Sequence, residues 1–351
     1  MRFNLGPVTL TNADVAELLA LRSEELTGDR QRAYRRASRA AYKWPDEVSD
    51  LVALERPLTE LKGIGARLSG LIKSWLDDPP EIPEPPAIRA GFRAFATARA
   101  ILADHPDWAD GVKGDLQMHS EDSDGRVPLQ EMARTGIDNG YSFIAITDHS
   151  KGLKIAGGMD ETQMREQAQR IDALNAELAD QGSDFKVLKG IEMNLSPRGE
   201  GDMEPDFLEE LDIVLGSFHS SLRTKEDQTE RYLAALENPT VDVLGHPRCR
   251  IYNFRVGLLA DWKTVCEAAA DTGTALEIDS FPDRQDLNVE LLELARAAGC
   301  WISMGTDAHT PDEMQYLPVG LAAAITAGIP KDKILNFMGA AELDAWVKSR
   351  R

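Results

Sequence analysis

Five of the six histidines in this 351-residue chain, His119, His149, His219, His246 and His309, each lie just beyond a short apolar, β-branched run; only His105, in DHPDW, does not. Carboxylates recur at the same kind of position: Asp124 in HSEDSDG, Asp148 beside His149, Glu192 in GIEM and Asp307 in TDAH. Neutral imidazole and carboxylate oxygen together form a donor set for zinc, manganese or iron. A lone histidine is more often explained by a local hydrogen bond. Five of six at equivalent positions point to a common metal-binding role. The three cysteines, Cys249, Cys266 and Cys300, lack CxxC spacing, so neither a thiolate cluster nor a disulfide framework is indicated.

Those positions acquire meaning from the elements that carry them. Seven runs read as strands: GDLQM (114–118), FIAIT (143–147), VLKGI (187–191), DIVLG (212–216), VDVLG (241–245), ALEID (275–279) and WISMG (301–305). Amphipathic stretches such as DETQMREQAQRIDALNAEL and NVELLELARAAG separate them, the pattern of a parallel sheet with helical crossovers. Seven β/α units suggest a barrel, and in such barrels the loops after the strands converge on one face. Upstream, residues 1–79 read as helices, the first capped by Thr11 or Asn12. The segment DDPPEIPEPP holds five prolines and reads as a stiff spacer, so 80–113 is assigned to a linker and connecting helix and 114–351 to the barrel.

Composition bounds the function. The formal net charge is −20, but residues 1–110 carry 15 basic and 17 acidic side chains against 24 and 42 in the remainder, so the acidity belongs to the barrel. An acidic surface repels polyanions unless metals and a basic path offset it. No apolar stretch approaches the ~20 residues that cross a bilayer, and MRFNLGPVTL lacks the apolar centre of a signal peptide. A soluble, cytoplasmic protein without a membrane partner is expected.

The motifs QMHSEDSDG, ITDHS, GIEM, GSFHS, GHP and GTDAH, in this order, resemble the polymerase and histidinol phosphatase (PHP) domain, over about Gly114 to Asn336. TDHSKGLKIAGGMD and LEIDSFPDRQDL resemble the version fused to bacterial family X DNA polymerases. The resemblance implies an α/β fold, a distorted seven-stranded TIM-like barrel, carrying two to three divalent ions, zinc and/or manganese or iron. Carried over by motif, the ligands are Gln117, His119, Asp124, His149, Glu192, His219, His246, Asp307 and His309. Glu192 would bridge two ions, with His119 and Asp307 on one side and His219 and His246 on the other; Asp124, His149 and His309 would hold the third. The family's usual HxH opening is QxH here, so Gln117 puts a neutral amide where an imidazole is expected. Clustered dications favour phosphoester hydrolysis by a metal-bridged hydroxide, with Glu192 and Asp307 at its centre and without a side-chain nucleophile. Arg250 and Arg284 are candidate forks for phosphate oxygens, aided by Lys151 and Lys154.

LTELKGIGARLSGLI, from Leu58, carries a second signal: a GIG turn opening a helix, whose backbone amides can accept a phosphate. It resembles a helix-hairpin-helix motif, with Gly63, Ile64 and Gly65 in the turn and Lys62 and Arg67 near the phosphate. Arg32, Arg35, Arg36, Arg39 and Lys43 recur at helical spacing and make one basic face. The region to about Pro79 resembles the small all-α DNA-binding domain at the front of family X polymerases. Palm and fingers do not fit between Pro79 and Gly114, so polymerisation is not expected. The resemblance implies cleavage of nucleic-acid ends, as a 3′-to-5′ exonuclease or 3′-end phosphoesterase in DNA repair, on DNA ends or gapped duplex. The alternatives are a small-molecule phosphatase of the histidinol-phosphatase type, acting on a phosphomonoester, and an inactive nucleic-acid-binding or scaffold protein. The last is opposed by eight of the nine expected ligand types being present.

Overall fold

A computed structural model describes residues 10–351; the amino-terminal stretch considered above as a signal peptide lies, except for Leu10, outside them. Seven strands, β1 (Gly114–Asp115), β2 (Phe143–Ile146), β3 (Lys186–Leu195), β4 (Ile213–Phe218), β5 (Val243–Leu244), β6 (Ala275–Asp279) and β7 (Ile302–Gly305), pair in parallel in chain order. The first and last edges meet through His119 N–H donating to Ala308 O (2.8 Å) and Asp307 N–H donating to Gln117 O (3.1 Å). The result is a nearly closed α/β barrel of the TIM-like kind. All seven expected runs form strands, and β3 extends four residues further than expected, which places Glu192 within the strand. Both faces of these strands are covered, which is why they read as continuous apolar runs and not as alternation.

Helices α1 (Asn12–Glu24), α2 (Gly28–Ala41), α3 (Val48–Ala53) and α4 (Ala66–Asp77) form the leading module. Thr11 caps α1: its Oγ1 accepts from Asp14 N–H at 3.2 Å while Asp14 Oδ2 accepts from Thr11 N–H at 2.8 Å. Residues 79–86 contain no helix or strand, as five prolines dictate, but Ile82 packs on the module and Arg89 is almost fully buried. Arg89 donates to both oxygens of Glu17 (2.9 and 2.8 Å) and to Glu24 (2.7 Å). The spacer is therefore tethered. Helix α5 (Phe95–Ala103) leads into the barrel.

The module is also docked on the barrel. Tyr252, from the segment after β5, belongs to the apolar core of the helical module. Its ring stands 4.6 Å from that of Tyr42 and 5.3 Å from that of Phe92, and its hydroxyl is 2.9 Å from Ser38 Oγ. Among the described residues no helix is long and apolar enough to cross a membrane.

Candidate metal centre

The strand ends bring His119, His149, Glu192, His219, His246, Asp307 and His309, with Asp124 from the loop after β1, into one cluster, buried except at Asp124, His219 and His309. Glu192 is its hub: Oε1 lies 2.7 Å from His246 Nε2 and 3.1 Å from His219 Nε2, while Oε2 lies 3.2 Å from His149 Nδ1 and 3.4 Å from His119 Nε2. Asp307 Oδ1 is 3.0 Å from His119 Nε2. Asp124 Oδ1 stands 3.2 Å from His309 Nε2, 3.5 Å from His149 Nε2 and 3.9 Å from His119 Nδ1.

Three triads present donor atoms within 4.8 Å of one another: His119 with Glu192 and Asp307, His149 with Glu192 and His219, and His119 with His149 and His309. Three buried atoms, His119 Nδ1, His149 Nδ1 and Glu192 Oε2, have no hydrogen-bond partner of acceptable geometry. Unsatisfied lone pairs aimed into one space are costly in a protein alone, and a divalent cation is the group this donor set fits. The grouping departs from expectation: His119 and His149 each stand in two of the triads, while His246 and Asp124 stand in none of them.

Contacts behind the ligands fix their orientation. His309 Nδ1–H donates to Asp307 O (2.8 Å) and His219 Nδ1–H to Asn194 Oδ1 (3.2 Å), in each case turning Nε2 toward a carboxylate. His246 and Asp307 hold positive φ, 26° and 50°, a conformation that non-glycine residues keep only where the surroundings enforce it.

The electrostatics follow from geometry. Burial pushes Glu192 up, but His149, His246 and His219 outweigh it and its carboxyl falls well below the usual range. Asp307 is likewise raised by burial and more strongly lowered, first by Arg284 and then by His119. At His309 burial opposes protonation, yet Asp124 and Asp307 raise it to about 10. These carboxylates stay ionised, and a cation must displace protons from His149, His246 and His309, which their carboxylate neighbours hold toward the charged form, so metal affinity falls as pH falls.

Not every expected residue joins the cluster. Gln117 is buried, and its amide is best satisfied with nitrogen turned to Glu277, 2.6 and 3.1 Å from the two carboxylate oxygens. Asp148, beside His149, faces away: it accepts from Ser120 N–H (2.8 Å), Ser120 Oγ, Ser123 Oγ and Gln167 Nε2 (each 2.5 Å), and so shapes the loop bearing Asp124. Arg284 does reach the centre, with Nη2 3.4 Å from Asp307 Oδ2. Arg250 does not: it is buried, donates to Ala90 O (3.2 Å) and Gly91 O (3.0 Å), and stacks 3.6 Å from the Phe92 ring centroid. Expected as a phosphate fork, it is a clamp on the returning linker, and burial lowers it to about 10. Lys151 pairs with Glu161 at 2.6 Å.

Two carboxylates under the cluster escaped the sequence reading. Glu277 accepts from His246 N–H at 2.6 Å as well as from Gln117, and burial, then Asp279, raise it well above the ordinary range. Asp115 accepts from Thr306 Oγ1 (2.5 Å) and N–H (3.1 Å), which ties β1 to the segment after β7, and burial lifts it to about 7. Gly305 makes room for this layer: a Cβ there would lie 2.3 Å from Gln117 Cβ.

In the helical module, Ile64 is buried in the core, not presented to a ligand. Lys62, Gly65 and Arg67 are exposed, as are Arg32, which pairs with Asp29, and Arg35 and Arg36. Arg39 and Lys43 (3.6 Å) both reach Asp283 of the barrel.

The PHP domain matches residues 115–280, which include His119, His149, Glu192, His219 and His246. The chain belongs to the PHP family of metal-dependent phosphoesterases. It is 39% identical over 238 residues to the DNA polymerase/3′-5′ exonuclease PolX of Bacillus subtilis, a match covering 68% of this chain but only 41% of that protein. It is 31% identical over 208 residues to a probable phosphatase of Shewanella frigidimarina, covering 56% of this chain and 77% of that protein. Among solved structures, histidinol phosphate phosphatase from Lactococcus lactis, crystallised with zinc, L-histidinol and phosphate, matches with TM-score 0.47 and 21% identity over 62% of this chain and 94% of that one.

Proposed function

We propose that this PHP protein cleaves phosphodiesters at DNA ends, as a 3′-to-5′ exonuclease or 3′-end phosphoesterase in DNA repair. The observation that carries the reading is the docking of a basic helical module directly beside the metal centre, through Arg39 and Lys43 to Asp283 on the loop that also bears Arg284. The relation to PolX supports it. Two to three divalent ions, zinc or manganese, would be held by the three triads, two of which share Glu192, with His246 and Asp124 completing the donors. When bound, they supply Lewis acidity, which activates water and neutralises phosphoryl charge. The protein's own part is positional. Glu192, Asp307 and Asp124 hold negative charge where cations gather, Asn194 and the Asp307 carbonyl aim the imidazoles, and Arg284 offers a fixed guanidinium to a phosphoryl oxygen. Gln117 is assigned to holding Glu277 and, through it, the backbone of His246.

Digestion of a 5′-labelled, 3′-recessed duplex with added manganese tests the reading. A ladder shortening from the 3′ end, lost with EDTA and in His119→Ala, is the expected result; intact DNA with a folded, metal-loaded protein overturns it. A second reading, hydrolysis of a small phosphomonoester, draws on the acidity of the barrel and on the probable phosphatase relative. It predicts rapid turnover of an aryl phosphate and of no oligonucleotide.

A further inference from the structure

A cavity of about 530 Å³ lies where the helical module meets the barrel. Its wall brings together Arg36, Arg39 and Lys43 of the basic helix face and its end, Lys62 and Gly63 of the GIG turn, and Phe281 from the loop after β6. None of its lining residues is acidic, although the barrel portion of the chain carries 42 acidic side chains against 24 basic ones. Among the described residues, the carboxylate that pairs with these cations is Asp283, fully buried beneath them.

The two nucleic-acid signals that the sequence separates by some twenty residues are one surface here. Gly63 holds φ +87°, and the turn packs on α2, where a Cβ at Gly63 would meet Ala40 Cβ in ordinary contact at 3.5 Å. On the other side, one connection runs from the cavity to the metal centre: Phe281 shares its loop with Arg284, which reaches Asp307. Two residues separate Phe281 from Arg284, and Arg284 N–H donates to Phe281 O (2.8 Å), so the turn keeps the cavity wall and the Arg284 backbone within ~11 Å of each other.

We propose that this cavity is the entry channel for an unpaired DNA strand whose end lies in the metal centre. Arg36, Arg39 and Lys62 hold its phosphates, with one exchanging for Asp283 at Arg39, and the Phe281 ring, with Lys43 Nζ 4.0 Å from its centroid, offers carbon surface to a base. The inference rests on the nuclease reading and gives it a substrate requirement: a single-stranded stretch a few nucleotides long beside the scissile bond.

The test compares oligodeoxythymidylates of two to ten nucleotides as substrates of the manganese-loaded full chain, and measures their binding by fluorescence anisotropy in EDTA across a salt series. Wild-type kcat/KM should rise with length and level off once the strand fills the cavity. In the Arg36→Gln/Lys62→Gln double variant the rise should flatten, and the slope of log affinity against log salt should fall by about 1.4, for two lost phosphate contacts on a single strand. Both side chains are exposed, so the variant keeps the fold, which a melting curve checks. Phe281→Leu should weaken the longer strands a few-fold and leave the salt slope in place. A double variant that keeps both the length dependence and the wild-type salt slope overturns the channel. If the wild type binds strands but cleaves none, the nuclease reading fails while the channel stands or falls on the anisotropy alone.

Discussion

The two charged regions of the molecule are built in opposite ways. The metal centre gathers side chains from six strand ends and the loop after β1, buries five of the eight, and holds two, His246 and Asp307, at positive φ. The basic cavity gathers one helix face, one turn and one loop, and leaves most of its cations exposed. Buried charges with fixed partners cost much to disturb, whereas exposed cations act mainly through summed charge and are screened by salt. The first region should therefore fail all at once when one residue changes, and the second should weaken by degrees.

The largest effects belong to the centre. His119→Ala and Asp307→Ala remove donors that two triads share or that Arg284 neutralises, and each should reduce metal-dependent phosphoester turnover to the level seen with EDTA. Elemental analysis of the purified variants should show fewer bound ions; wild-type rates and stoichiometry would remove the cluster from the chemistry. Arg284→Met comes next. It strips a guanidinium from beside Asp307 without removing a donor from the triads, and should lower kcat by roughly 10²- to 10³-fold with bound metal retained. A loss of metal instead would make Arg284 a support for Asp307.

How far the sequence foretold these regions follows the same division. The barrel was legible because six of the seven apolar runs are followed within three residues by a histidine or acid of the cluster, and a barrel brings such ends together whatever the helices between them do. Asp148 shows where that reasoning stops. Neighbours along an extended chain point to opposite sides, so His149 enters the cluster while Asp148 turns to Ser120, Ser123 and Gln167. Glu277 and Asp115 were missed because an acid inside a strand run has no signature until its partners Gln117, His246 and Thr306 are in place. Arg250 was misassigned because the path of the linker, which brings Ala90 and Gly91 over it, is absent from any local pattern. The cavity was legible only as two separate basic signals; that they share a wall with Phe281 is a fact of docking.

That docking can itself be broken. Arg89 is 4% exposed and joins Glu17, which is buried, and Glu24. Arg89→Ala would leave Glu17 uncompensated and should cost about 3–5 kcal/mol, read as a lower denaturant midpoint. If the module is held to the barrel by this segment, the variant should also lose affinity for oligonucleotides while its hydrolysis of an aryl phosphate declines less. An unchanged midpoint would show that the aromatic contacts of Tyr42, Phe92 and Tyr252 suffice alone.

The smallest effects should come from the GIG turn, and its two glycines separate shape from charge. Gly63 adopts φ +87° against α2, so Gly63→Val is strained at any salt concentration and should cost about 1–3 kcal/mol and reshape the cavity wall. Gly65 has φ −97° as the cap of α4, and a Cβ there meets nothing within 4 Å, so Gly65→Ala should change stability by no more than about 0.5 kcal/mol. Both keep every cation. If DNA affinity follows charge alone, the two variants bind alike; if the turn positions Lys62 and the α4 amides for a phosphate, Gly63→Val binds more weakly and Gly65→Ala binds as the wild type does. Equal weakening in both would mean that the open backbone at Gly65 is itself the contact, with the phosphate lying at the start of α4 and outside the cavity.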